Sequence, residues 1–173
     1  MAGRSNEQDF VDELWAEDDE DTRAGGSKYL LFYLGDELYG INIINVTEII
    51  EMQRITPVPD MPDYIKGVIN LRGKVIPVMD LRLRFRMQGR EYDDRTCIVV
   101  TSIENASLGM IVDTVAEVHD IHTDNMEPAS RMPSSAGEKY VEGIGKLDDQ
   151  VCVLIDAHKI LLGNDVQAIR DQL

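Results

Sequence analysis

The chain has 173 residues with 17 Lys and Arg against 32 Asp and Glu, a formal charge of −15, which argues against nucleic acid as a partner because no basic stripe is left for a phosphate backbone. No run approaches the roughly 20 apolar residues of a membrane span, and the acidic start is unlike a signal peptide, so a cytoplasmic protein without direct membrane insertion is expected. The length suits one domain or two small subdomains sharing a core.

Residues 1–27 hold nine acidic side chains against Arg4 and Arg23 and end in Ala-Gly-Gly-Ser, the composition of a disordered acidic arm. Within it Phe10, Val11, Leu14 and Trp15, the single tryptophan, share one side of a short helical pattern. Such a helix is marginal alone, so the arm reads either as a solvated tail or as a docking peptide that folds on a partner. Strands are expected over 29–34 and 37–44, joined at Gly35-Asp36. Asn45 with Glu48 three positions on has the spacing of a capping box, compatible with one helical turn or with a bulged strand. Pro57, Pro59 and Pro62 make 55–65 an ordered crossing loop.

Residues 67–85, GVINLRGKVIPVMDLRLRF, carry the clearest signal. Two β-branched and apolar runs flank Arg72-Gly73, where glycine supplies the positive φ of a tight hairpin turn. The return strand runs into Asp80, a good N-cap for a short helix over 81–86. The design recurs 76 residues later, where Gly143, Leu147, Val151, Leu154 and Asp156 stand for Gly67, Leu71, Val75, Val78 and Asp80. A second block repeats too, Gly40 to Ile49 against Gly109 to Val118, both ending in V-x-E-[I/V]. Two blocks in one order, twice, imply a duplicated β unit, about 28–90 and 91–162. Between them lie a polar connection (87–94), a strand over 95–101, a turn at 104–106 and a strand over 107–118 interrupted near Asp113-Thr114. Residues 119–139 lack periodicity and read as a loop; 156–162 and 163–173 read as helices. The elements are mainly β.

The residues carry no enzyme signature: no phosphate-binding glycine loop, no nucleophile elbow and no cysteine with a base partner. Cys97 and Cys152 sit in apolar strand patterns and are expected to be buried, reduced thiols. Asp80 and Asp156, matched at strand-to-helix junctions, read as caps rather than paired catalytic acids. His119-x-x-His122 with Asp120 and Asp124 is the nearest approach to a metal cluster, but a loop pair three apart does not fix ligand geometry, so neither metal nor cofactor is expected. The duplication serves as an internal control for two other residues. Glu48 has a counterpart in Glu117, which favours a local role, whereas Arg72 has none, the hairpin tip of the second unit being Asp148-Asp149. The hairpin therefore does not need arginine, and its exposed fork suits recognition of a carboxylate or carbonyls, or a structural bond to Glu48, or both.

YGINIINVTEI at 39–49 followed by IKGVINLRGKVIPVMDLR at 65–82 closely resembles the CheW family of bacterial chemotaxis adaptors over roughly residues 28–165. The resemblance implies two small five-stranded SH3-like β-barrels packed side by side, with short helices and a C-terminal helix. It implies a non-enzymatic scaffold that couples chemoreceptors to the histidine kinase CheA, binding the kinase's regulatory domain and the receptor's cytoplasmic tip at receptor arrays, and monomeric in isolation. Val46, Glu48, Gly67 and Arg72 match positions linked to partner binding, and Val115 and Val118 match positions on the same contact face. Rival readings are an adaptor of another chemosensory array and a small β-barrel ligand or metal binder using the His119–His122 loop.

Overall fold

Among the residues that the computed structural model describes, 26–128 and 140–172, eleven strands and three α-helices follow in order. They are β1 (Gly26–Leu34), β2 (Glu37–Asn42), β3 (Val46–Glu51), β4 (Ile65–Leu71), β5 (Lys74–Asp80), α1 (Leu81–Arg84), β6 (Cys97–Ile103), β7 (Ala106–Val112), β8 (Thr114–His122), β9 (Met126–Pro128), β10 (Val141–Lys146), β11 (Val151–Ile155), α2 (Ala157–Leu161) and α3 (Asn164–Gln172). β1 begins two residues inside the stretch read as an arm, because Gly26 and Ser27 pair with His122 and Ile121. The remainder of the expected arm, 1–25, lies outside the described residues, as does 129–139.

Local chemistry accounts for most element ends. Arg72 and Gly73 both adopt positive φ, 51° and 85°, which matches the turn twist to the twist of β4 and β5, and Asn70 Oδ1 accepts from Gly73 N at 2.9 Å. Asp80 caps α1 by accepting from Leu83 N at 3.3 Å, and Asp156 caps α2 by accepting from Lys159 N at 3.2 Å; each such cap contributes about 1 kcal/mol. Asn45 is not a cap. A 3-10 turn, Ile43–Asn45, is capped instead by Asn42, and β3 follows with a bulge between Val46 and Glu48. The stretch after 118 is also more ordered than its composition suggested: β8 runs to His122, and a further 3-10 turn leads into β9.

The strands form two sheets, ordered β8-β1-β2-β11-β10-β9 and β3-β6-β7-β5-β4. The protein is mainly β, as expected, but neither ladder closes into a barrel, and one sheet has six strands rather than five. The extra strand, β9, pairs with Gly143 in β10, and its counterpart in the other sheet is a single bridge between Thr56 and Val68. With β1 to β5 matched to β6, β7, β8, β10 and β11, the two orders become identical, so the two halves of the chain share one strand arrangement. The sheets do not follow the halves of the chain, however. The first unit passes from one sheet to the other between β2 and β3, and the second passes back between β7 and β8, at the interruption expected near Asp113. Each sheet is thereby completed by the other unit, and the parallel pairs β5–β7 and β11–β2 join them. The principal core, from Leu30 and Phe32 through Val99 and Met110 to Ile155 and Ile169, draws on both sheets and on α3.

Asp113 fastens the second crossing. Its carboxylate accepts from Arg82 Nε at 2.8 Å, Arg82 Nη2 at 2.7 Å and Gly35 N at 2.7 Å, tying α1 to the β1–β2 turn. Burial pushes the Asp113 carboxyl up, but the bonds from Arg82 and Gly35 and the charges of Arg82 and Arg90 outweigh it, and the pKa is lowered. A lowered folded-state pKa stabilises above the unfolded value and is lost as pH falls through the folded one. Asp113→Asn should therefore lower Tm at pH 7 by about 4–8 °C, the shift for about 2 kcal/mol at this size. The gap to wild type should close as pH drops below about 4; a constant gap in melts from pH 7 to 3 would rule the carboxylate out as its source.

Cys97 and Cys152 are thiols, 5% and 0% exposed, and burial raises the Cys152 pKa. Little thiolate is present at neutral pH, so native labelling by a thiol reagent should proceed only at the rate of opening. Labelling of the native protein as fast as of the denatured chain would contradict the placement of β6 and β11.

Candidate functional site

The β4–β5 hairpin presents Arg72 at its tip with its side chain 69% exposed, and its guanidinium pairs with Oε2 of Glu48, whose side chain is 10% exposed. Glu48 reaches this position because the β3 bulge skips Thr47 in the pairing with β6, turning Glu48 inward opposite Val100. The other carboxylate oxygen, Oε1, is buried with no hydrogen-bond partner among the described residues. The tip is thus an exposed cation anchored on a buried, half-satisfied anion, an arrangement with donors left to offer outward and an acceptor left to fill.

The other sequence candidates fall into different roles. Val46 is fully buried in the principal core, so any part it takes in binding is through the placement of its neighbours. Val115 and Val118 lie on β8, half-buried against the same core and paired with Phe32 and Leu30. Gly67 is buried at φ 139°, and a Cβ there would lie 2.0 Å from Thr56 O; its place is where the Thr56 segment crosses the hairpin. The structure therefore brings Glu48 and Arg72 into contact and puts Gly67 in the support of their hairpin. His119 and His122 are on strand β8 rather than on a loop, and a separation of three in a strand sends them to opposite faces, so they do not converge on one ion.

The residue pattern across the hairpin, the exchanged sheets and the matched Asp80 and Asp156 caps bring comparison with known proteins to a point. A family model described as CheW-like domain matches residues 28–163. The chain belongs to the CheW-like family. The chemotaxis protein CheW of Klebsiella aerogenes is 35% identical over 144 residues, 83% of this chain and 87% of that one. CheW of Bacillus subtilis is 34% identical over 148 residues, 85% and 95% of the two chains. Among solved structures, the scaffolding protein TtCheW of Thermoanaerobacter tengcongensis superposes with a TM-score of 0.73 at 37% identity, covering 80% of this CheW-like chain and 94% of its own.

Sequence reasoning missed a second constellation. Tyr64, just before β4, and Tyr140, just before β10, flank Arg84, whose guanidinium carbon lies 4.6 Å and 4.3 Å from their ring centroids. Tyr64 donates to Asp165 Oδ2 at 2.7 Å, and burial together with that carboxylate pushes its phenol up to about 12, so it stays a donor. The two tyrosines are separated by the repeat spacing of 76, the signal that would have found them. Their backbones play the same part, since Asp80 N donates to Tyr64 O and Asp156 N to Tyr140 O, at 2.7 and 2.8 Å.

Proposed function

We propose that this chain is a non-catalytic chemotaxis adaptor of the cytoplasm, coupling chemoreceptors to the histidine kinase CheA. The observation that carries the reading is the Arg72–Glu48 tip: the fold forms the equivalent hairpin without arginine, yet here a guanidinium is held outward by a buried carboxylate. Such a fork, partly fixed before contact, loses less side-chain entropy on binding than a free arginine and suits a carboxylate or backbone carbonyls on a protein partner. The names of the relatives support the same reading, since they are chemotaxis proteins and one is a scaffolding protein.

In this reading the regulatory domain of CheA and the cytoplasmic tip of a chemoreceptor are the partners, the chain is monomeric when isolated, and it works at receptor arrays. Val46, Glu48, Gly67, Arg72, Val115 and Val118 build the contact region, with Arg72 making the exposed contact and the others placing or bordering it. The test is titration of the purified chain against a CheA regulatory domain and, separately, against a receptor tip fragment, by calorimetry. Saturable binding to both at about micromolar Kd, near 8 kcal/mol, is expected. Absence of heat with either partner, at concentrations tenfold above about 10 μM, would sink the proposal.

A further inference from the structure

The Tyr64–Arg84–Tyr140 constellation lies at the end of the β4–β5 hairpin opposite the Arg72 tip, because Tyr64 enters β4 and Arg84 follows β5. With Lys159, Leu162 and Asp165 it lines a cavity of about 540 Å³. The chemistry of this groove is specific. Two phenol rings, which pack on Arg84, and Leu162, itself 52% exposed, are its apolar part. Arg84 is neutralised by Asp165, with Nε 3.6 Å from Oδ2, whereas Lys159 at the rim is exposed and makes no ion pair among the described residues. A free ammonium next to exposed Leu162 suits an occupant that carries both carboxylates and apolar side chains.

The course of the chain names one. Val141 pairs with Ile155, Ile155 with Ile41 and Ile41 with Leu30, so Tyr140 and Gly26 leave the six-stranded sheet at the same end. Three strand spacings and about four residues of β1 separate them, roughly 20 Å in all. Residues 1–25 lie beyond Gly26, and in sequence they combine Phe10, Val11, Leu14 and Trp15 with Asp12, Glu13 and the acidic run 17–21. The eleven residues from Trp15 to Gly26 can reach about 36 Å when extended, more than the span requires.

We propose that residues 10–15 dock in the Tyr64–Arg84–Tyr140 groove of their own chain, with the apolar side chains on the rings and Leu162 and the carboxylates toward Lys159. The docked arm covers the groove and leaves the Arg72 tip open, so it competes with whatever else enters the groove and not with a partner on the hairpin. Tethering sets the occupancy: a short linker gives an effective concentration of about 1 mM, so a segment whose free Kd is ~0.1 mM is docked about nine-tenths of the time.

Trp15 reports on this directly, as the chain has one tryptophan. Acrylamide quenching of the full chain is compared with that of a peptide spanning residues 5–20. Docking in cis lowers the quenching constant severalfold, independently of protein concentration. Lys159→Glu combined with Leu162→Ser, both exposed positions, returns it to the peptide value. Asp12→Lys with Glu13→Lys does the same while leaving residues 26–172 unchanged, and decides the matter if the groove variant melts early. Quenching equal to the peptide's, or protection that survives both pairs of substitutions, overturns the proposal. Protection that disappears on dilution overturns it as well, since the groove then holds the arm of another copy.

Discussion

Gly67→Ala is expected to lower Tm by about 8–16 °C, the shift for about 4 kcal/mol in a chain of this size. A Cβ on Gly67 would lie 2.0 Å from the carbonyl oxygen of Thr56, 2.6 Å from its carbon and 2.9 Å from Pro57 Cα, all backbone atoms that no rotamer change can move. The crossing segment would have to leave. Its departure breaks the reciprocal bonds Thr56 N to Val68 O and Val68 N to Thr56 O, each 2.9 Å, and the φ of 139° adds strain for any residue with a side chain. Gly73→Ala is the control. Its φ is also positive at 85°, but nothing lies within 4 Å of the added Cβ, so it should cost about 1 kcal/mol. Equal melts for the two variants would show that the clash is not the source. If the proposed partners bind Gly67→Ala weakly, the loss should track the unfolded fraction, because Gly67 supports the hairpin without being exposed.

The hairpin turn, the paired caps and the break at Asp113 were legible because each rests on local chemistry: positive φ at Arg72-Gly73, carboxylates ahead of helices, and aliphatic spacing. What the sequence could not reveal is which sheet a strand joins. The Gly40 to Ile49 block reads the same whether β3 stays with β2 or crosses over, since its aliphatic residues suit burial in either sheet. That crossing is decided by partners distant in sequence, such as Val99 and Val100 on β6, and the later one, between β7 and β8, by the Arg82–Asp113–Gly35 bonds. Gly143 shows the same limit. It reads as a hairpin residue, yet the carbonyl of Glu127 would lie 2.4 Å from its Cβ, a contact supplied by a segment whose composition looked like loop. At the site, exposure of Arg72 was legible and its separation from Glu48, 24 residues earlier, was no obstacle to pairing them. The burial of Glu48 was not legible, because it depends on a one-residue bulge in β3.

That burial changes what Arg72→Ala should do. An exposed tip residue alone would cost no more than about 0.5 kcal/mol, but here its loss strips Oε2 of its partner while Oε1 already has none among the described residues. The expected destabilisation is about 1–2 kcal/mol, at the low end for an orphaned buried carboxylate because Arg72 itself is solvent-screened. Backbone strain does not change, since Arg72 already sits at φ 51° with a Cβ. Adding Glu48→Gln removes the buried charge, so the double variant should melt closer to wild type than Arg72→Ala does. Binding should respond differently. If the guanidinium contacts a partner, both Arg72→Ala and the double variant should lose about thirtyfold in affinity, near 2 kcal/mol. Arg72→Glu should lose more, through repulsion from Glu48 and from the partner's acceptor. The measurement is a thermal melt of each variant beside titration against the CheA regulatory domain and the receptor tip. A double variant that regains stability and also binds both partners like wild type would make the pair purely structural, and Arg72 would then have no part in recognition.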